Sequence, residues 1–197
     1  MTLRPPPMPT AERARATESL IARRATDIAR WSVPDNLASQ WDARAAMAAT
    51  WIADGSRVLD VGCGAMALGA LLPAGCSYFP ADVVERRPGC FTVDLNRGEF
   101  PPGTYDWVSF LGVLEYVHDV GAALSRARAA APHLLVTYCT YAGGDVALRR
   151  GMGWVNDLDR DAFEAALAAA GWRVERTAEV KRGPTNVQLM YACARAA

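Results

Sequence analysis

The stretch Val58-Leu59-Asp60-Val61-Gly62-Cys63-Gly64 constrains this chain more than any other: residues suited to a buried strand run into a turn with two glycines, and helix formers follow from Ala67. Glycine admits backbone conformations that a Cβ forbids, so Gly62 and Gly64 let the chain pass close to a bound molecule. A strand, a glycine turn and a helix, in that order, make the opening unit of an open α/β sheet, where ligands bind at the carboxyl ends of the strands. The structural alternative is a tight turn with no ligand.

The rest of the chain repeats the alternation. Short apolar runs at 57–61, 77–81, 90–93, 107–111, 133–138, 172–179 and 187–193 read as strands, and 67–72, 120–130 and 160–170 read as helices, the last capped by Gly171. This predicts an α/β fold: a doubly wound, Rossmann-like, mostly parallel sheet of seven strands with helices on both faces. Gly183-Pro184 joins the last two strands with no helix between them, so the last strand is antiparallel. Before the sheet, one amphipathic helix is expected over 11–31, with Ile21, Ile28 and Trp31 on one stripe. A second is expected from Asp35, carrying Leu37, Trp41, Ala45, Ala48 and Ile52 and ending at Asp54-Gly55. The expected organisation is a flexible proline-rich tail over 1–10 (Pro5, Pro6, Pro7 and Pro9), a helical cap over 11–54 and one main domain over 55–197.

Charge and cysteine content narrow the partners. Lys+Arg and Asp+Glu both total 21, so the chain has no bulk attraction for nucleic acid or an anionic membrane. No apolar run approaches bilayer length, and the opening MTLRPPPMPT lacks the apolar stretch of a secretion signal, so a cytoplasmic protein is expected. The five cysteines are scattered, with no C-x-x-C pair and no His set at metal spacing, which predicts free thiols and no metal site.

Two cofactor classes compete for the glycine turn. Gly62 to Ala67 formally satisfies G-x-G-x-x-A, and Asp82 lies where a dinucleotide enzyme holds a ribose. Asp60 argues the other way, because a carboxylate beside the turn repels a pyrophosphate and attracts an amino-acid ammonium. S-adenosylmethionine carries such an ammonium, and a sulfonium as well.

Over about residues 45 to 195 the sequence resembles the class I S-adenosylmethionine-dependent methyltransferases: VLDVGCG at 58–64 is similar to their first motif, and YDWVSFLGVLEYVHDV at 105–120 to their fourth. The resemblance implies that Asp60 orients the cofactor's ammonium and that Gly62, Cys63 and Gly64 line the cofactor. It places Asp82 and Val83 at the ribose, Asp94 and Leu95 at the adenine, and Phe110 nearby. Acidic residues at the tips of three successive strands form a pattern that packing alone does not require. The chain departs from the family in having Glu115-Tyr116 where Glu-His is frequent, His118 where Pro is frequent, and Met66 in place of a third glycine.

The methyl sulfonium is already electrophilic, so the protein mainly aligns a nucleophile and excludes water. His118 is the candidate base, with Tyr116 and Glu115 as candidate acceptor contacts, each having a structural alternative at the turn. His133, at the amino end of its strand, reads as structural. The segment 138–157 carries Tyr141, Arg149, Arg150 and Trp154 between Gly143-Gly144 and Gly151, and reads as a mobile lid whose arginines hold an acceptor carboxylate or phosphate. Trp31, Trp41 and Trp51 either cover the cleft or anchor the cap. No Asn-Pro-Pro-Tyr type tetrapeptide follows the fourth strand, so nucleic acid is not the expected acceptor. The expected activity is methyl transfer to O, N or C of a small molecule such as a sugar, a natural-product intermediate or a small acid. Its rivals are an NAD(P)-dependent oxidoreductase and a non-catalytic partner protein that keeps the fold, with the oligomeric state open.

Overall fold

The structure, a computed structural model, describes residues 11–37, 42–183 and 186–196. The expected tail over 1–10, Trp41 and Pro184 lie outside the described residues.

Seven strands make one sheet: β1 (Arg57–Val61), β2 (Ser77–Asp82), β3 (Phe91–Thr92), β4 (Trp107–Leu111), β5 (His133–Tyr141), β6 (Trp172–Arg182) and β7 (Asn186–Arg195), in the order β3-β2-β1-β4-β5-β7-β6. The first five run parallel, and β7 is antiparallel to both of its neighbours. The order reverses between β1 and β4, the switch point at which such sheets open a crevice beyond their carboxyl ends.

Side chains alternate across each strand, so one strand feeds two cores. Leu59, Val61, Val108, Phe110, Leu134 and Val136 pack with Leu124 of α5 (Val120–Ala130) and with Phe163 and Leu167 of α7 (Arg160–Ala169). Val58, Leu135 and Met190 face the other way, onto Ala45 and Ala48 of α3 (Asp42–Ala49) and Leu68 of α4 (Ala67–Leu71). Asp60 and Ser109 share this second face and are register partners across β1 and β4. No helix among the described residues is long and apolar enough to cross a membrane.

The amino-terminal region differs from its expected form. The helix expected over 11–31 is two: α1 (Ala11–Arg23) and α2 (Ile28–Trp31), with Arg24 left-handed at φ 50° between them. Asp27 caps α2 by accepting from the Arg30 N–H at 3.1 Å, so the break carried a signal in Thr26-Asp27. The helix expected from Asp35 is a 3-10 turn over Pro34–Asn36, followed by α3. Further on, the segment expected to be irregular contains α6 (Val146–Gly151), capped where Asp145 accepts from the Ala147 N–H at 2.7 Å. β5 runs three residues beyond its expected end because Cys139, Thr140 and Tyr141 pair with Gln188, Val187 and Asn186 of β7.

Candidate active site

A cleft enclosing about 1000 Å³ of space, its open mouth included, lies beyond the carboxyl ends of β1, β2 and β4. The glycine turn forms its floor. Gly62 and Cys63 both donate their N–H to the Ala81 carbonyl, at 2.8 and 3.0 Å, which ties the exit of β1 to the end of β2. Gly62 is left-handed at φ 75°, and a Cβ there would lie 2.3 Å from Val113 Cγ2. Met66 is also left-handed, at φ 59°. Gly64, Ala65, Ala67 and Leu68 line the cleft, and Met66 does not.

The acids at three strand tips all line this cleft and are all buried. Asp60 Oδ1 accepts from Ser109 Oγ at 2.6 Å and Oδ2 from the Tyr78 hydroxyl at 2.7 Å. Burial raises its carboxyl above the ordinary range, the two hydroxyls oppose this, and the charge of Asp82 adds to it. Asp82 Oδ1 accepts from the Val83 N–H at 2.7 Å and from Arg86 Nη2 at 3.0 Å, while Oδ2 accepts from the Gly64 N–H at 2.9 Å. Asp94 makes an Asx-turn, its Oδ1 accepting from the Asn96 N–H at 2.9 Å. The same oxygen accepts from Thr26 Oγ1 at 2.6 Å, which brings the cap onto the tip of β3. Asp94 Oδ2 is in no hydrogen bond among the described residues.

The cap fastens to the cleft at several points. Arg86 Nη1 donates to the Trp31 carbonyl at 2.8 Å, Arg30 Nη1 to the Met152 carbonyl at 2.7 Å, and Asn96 Nδ2 to Thr26 Oγ1 at 2.9 Å. Trp31 meets Tyr116 edge to face, with centroids 4.9 Å apart, and both rings line the cleft. From α3, Arg44 also reaches the cleft, its guanidinium lying against Gly112 just past β4.

Of the three candidate catalytic residues, Tyr116 alone lines the cleft. Its hydroxyl accepts from Trp154 Nε1 at 3.3 Å, and burial raises its pKa. Glu115 is fully buried beneath, with Oε1 accepting from the Cys139 N–H at 2.8 Å; burial raises its carboxyl too. His118 sits in the turn before α5, its N–H on Asn96 Oδ1 at 2.8 Å and its ring Nε2 at 3.2 Å from the Ala25 carbonyl. A carbonyl only accepts, so Nε2 carries the proton.

The acceptor arginines have partners inside the protein. Arg149 is 1% exposed: Nε donates to Asp157 Oδ1 at 2.7 Å, Nη1 to the Cys139 carbonyl at 3.1 Å and Nη2 to the Asn156 carbonyl at 3.1 Å. Arg150 pairs with the same Asp157 and donates to the Trp154 carbonyl at 2.9 Å. Tyr141 donates to the Gly144 carbonyl at 2.7 Å, and Trp154 is buried under the Arg149 guanidinium. The arginine pair therefore holds its own segment, and hydrogen bonds rather than an acceptor satisfy it.

Phe110 is fully buried in the α5-side core and does not line the cleft, because alternation along β4 sends Ser109 and Leu111 to the opposite face. Cys63, Val83 and Leu95 do line it. Sequence reading missed Thr26, Arg44, Arg86, Asn96, Gly112 and Val113. Only Gly112 carried a local signal, a glycine directly after a strand. His133 stacks on Trp107 at the amino end of the sheet, with centroids 4.8 Å apart.

Residues 35–177 match the family described as Methyltransferase domain. No curated protein matches the chain. Among solved structures, the Burkholderia thailandensis 1,6-didemethyltoxoflavin-N1-methyltransferase, with 1,6-didemethyltoxoflavin and S-adenosylhomocysteine bound, is similar at 17% identity and a TM-score of 0.64, over 100% of this chain and 94% of that one. The mitomycin 7-O-methyltransferase MmcR is similar at 22% identity and a TM-score of 0.64, over 91% of this chain and 60% of that one. The cyclase SpnF is similar at 16% identity and a TM-score of 0.59, over 79% of this chain and 80% of that one. The likeness is one of fold, and with a cyclase among the neighbours, fold alone does not fix the reaction.

Proposed function

Because the chain belongs to the methyltransferase domain family, we propose that it transfers a methyl group from S-adenosylmethionine to a small-molecule acceptor. The observation that carries this reading is the convergence of Asp60, Asp82 and Asp94, from the tips of β1, β2 and β3, on one cleft. The residues present fit the cofactor. Asp60 would hold the ammonium, Asp82 Oδ2 keeps acceptor capacity for a ribose hydroxyl, and Asp94 Oδ2 keeps acceptor capacity for the adenine amino group. Val83, Val93, Leu95 and Val113 supply apolar wall for the purine.

The turn amides weigh against a dinucleotide. A pyrophosphate needs free N–H groups at such a turn, whereas those of Gly62 and Cys63 bond to the Ala81 carbonyl and that of Gly64 to Asp82.

When bound, S-adenosylmethionine supplies a methyl group on a positively charged sulfur, open to in-line attack. The chain's own part is to align the acceptor and exclude water. Tyr116 and Trp31 wall the acceptor side, and Glu115 and His118 position that wall, by holding the loop to β5 and to the cap respectively. Residues 11–54 act as a cap that completes the cleft through Thr26, Trp31, Arg44 and Ala45. Methyltransferases of like fold act on small molecules such as 1,6-didemethyltoxoflavin, and the balanced charge gives no footprint for nucleic acid. A reducing, cytoplasmic setting suits the five free thiols, of which burial raises Cys63, Cys139 and Cys193.

Isothermal titration is the direct test. S-adenosylhomocysteine should bind, NADH and NADPH should not, and Asp82→Ala should weaken what binds. Silence with S-adenosylhomocysteine would overturn the reading, and an acceptor screen for the gain of one methyl group identifies the substrate.

A further inference from the structure

Asn96 lies in a 3-10 turn, Leu95–Arg97, that leaves the tip of β3. Its backbone is fixed there, because Asp94 Oδ1 accepts from its N–H at 2.9 Å and the turn closes at left-handed Gly98. The side chain reaches the loop after β4, where Oδ1 accepts from the His118 N–H at 2.8 Å and Nδ2 donates to the Tyr116 carbonyl at 3.0 Å. A primary amide presents an acceptor and two donors in one plane. A single asparagine thus serves this loop as a neighbouring strand would, taking one N–H and one C=O. An aspartate has no hydrogen to give the carbonyl.

The amide has only one way round. A backbone N–H donates and a carbonyl accepts, so Oδ1 faces His118 and Nδ2 faces Tyr116. Nδ2 also donates to Thr26 Oγ1, at 2.9 Å. Thr26 therefore accepts from Asn96, and its single hydrogen goes to Asp94 Oδ1, at 2.6 Å. The hydrogen bonds run in one sense from the His118 N–H through Asn96 and Thr26 to the Asp94 carboxylate. They join three segments that lie far apart in sequence: the cap, the tip of β3 and the loop whose Tyr116 ring meets Trp31.

We propose that Asn96 is a positioning residue for the acceptor wall: it ties Tyr116, and Trp31 against it, to the carboxylate that faces the cofactor. This rests on the reading of the cleft as an S-adenosylmethionine site. Asp94 lines the cleft and gives one oxygen to Thr26. A cofactor that takes the other oxygen fixes the carboxylate in the orientation Thr26 already uses, and so favours the state in which cap and loop are joined. A ligand shifts an equilibrium only by such a difference between states. Cofactor binding and the ordering of the acceptor wall are then one event, although Asn96 supplies no group to the reaction.

Hydrogen exchange with S-adenosylhomocysteine as the probe tests this. Residues 27–30 do not line the cleft, whereas Thr26 and Trp31 on either side do. Exchange in α2 therefore reports on the cap, and exchange in the glycine turn at 62–66 reports on binding itself. In wild type the probe should slow both, α2 by about fivefold or more, the low end of couplings between sites. Asn96→Ala should bind the probe within about tenfold of wild type and keep the slowing at the turn, while that at α2 falls below about twofold. Thr26→Val replaces the hydroxyl by a methyl, cuts the same chain from the other side, and should do the same. Slowing at α2 that survives both substitutions overturns the proposal, even where the rates with and without probe both rise, because Asn96 is then a structural tie alone. A wild type protected at the turn but not at α2 overturns it as well. So does a loss of affinity beyond about tenfold in both variants, since the pair then holds the cofactor itself. If Asn96→Ala has no cooperative melt, Thr26→Val alone decides. A wild type that binds no probe ends the cofactor reading and the coupling with it; one that binds, with any of these failures, ends the coupling alone.

Discussion

Gly64 donates its backbone N–H to Asp82 Oδ2 at 2.9 Å, so the glycine turn after β1 and the acid that ends β2 form one unit. Asp82 also receives Arg86 Nη2 at 3.0 Å, and the two side chains are only 7% and 9% exposed. The residue proposed to hold the ribose therefore also organises the floor of the cleft.

Asp82→Ala should accordingly damage the fold as well as binding. It strands the Arg86 charge, and removing one partner of a buried pair costs about 3–5 kcal/mol. Arg86→Ala should cost less, because the Gly64 and Val83 amides still satisfy the carboxylate, and the double variant should be more stable than the two losses summed. Urea denaturation of the three variants measures this coupling, and strict additivity would show that the pair does not act as a unit.

Asp60→Asn should separate stability from binding. Burial raises the Asp60 carboxyl, so between its ordinary and raised values the folded state holds the proton that the unfolded state has lost. Stability from this group then falls as pH rises, and the penalty is fully present above the raised value. The neutral amide removes it. The variant should melt at or above the wild-type temperature at neutral pH, with the advantage shrinking as pH falls toward about 4, the ordinary value. Its affinity for S-adenosylhomocysteine should drop by about tenfold or more. A variant that is less stable at neutral pH and binds normally would contradict both halves.

Gly62→Ala meets two separate obstacles. The left-handed backbone at φ 75° costs a residue with a Cβ about 1–2 kcal/mol, and the Cβ would stand 2.3 Å from Val113 Cγ2. Adding Val113→Ala removes only the second. The double variant should recover part of the stability lost by the single one and stay about 1 kcal/mol or more below Val113→Ala alone. Full recovery in thermal melts would mean that the turn is not held left-handed.

Periodicity and punctuation carried the sheet: the strands, their order class and the reversed last strand all follow from alternation, glycine turns and the helix-free link at Gly183. Asp60, Asp82 and Asp94 were legible because a strand tip leaves few places for a carboxylate to go. Phe110 was misplaced although the strand held the answer, since Trp107, Ser109 and Leu111 share one face and Val108 and Phe110 the other. Arg44 was invisible for a different reason. It is one charged residue on an amphipathic helix, and only the tertiary position of α3 over Gly112 turns it inward. The arginines at 149 and 150 invited an anionic acceptor, because nothing local says that Asp157, past the end of α6, comes back to meet them.

Asp157 gives the last prediction. Burial pushes its carboxyl up, but hydrogen bonds and charges from Arg150 and Arg149 outweigh that and hold it below the ordinary value. A depressed folded pKa contributes stability that is present above the ordinary carboxyl value and lost as pH falls through the folded one. Asp157→Asn should therefore destabilise most near neutrality, with the gap to wild type closing in strong acid. The cost at neutral pH should be about 3 kcal/mol, because Arg149, 1% exposed, loses the carboxylate at its Nε. Since Arg149 also fastens α6 to β5 through the Cys139 carbonyl, cleavage by trypsin in the 142–152 segment should rise well before the global melt. Unchanged proteolysis with the full loss of stability would show that the segment is held by its contacts with α1, where Thr17 Oγ1 donates to the Arg150 carbonyl at 2.8 Å, rather than by the ion pair.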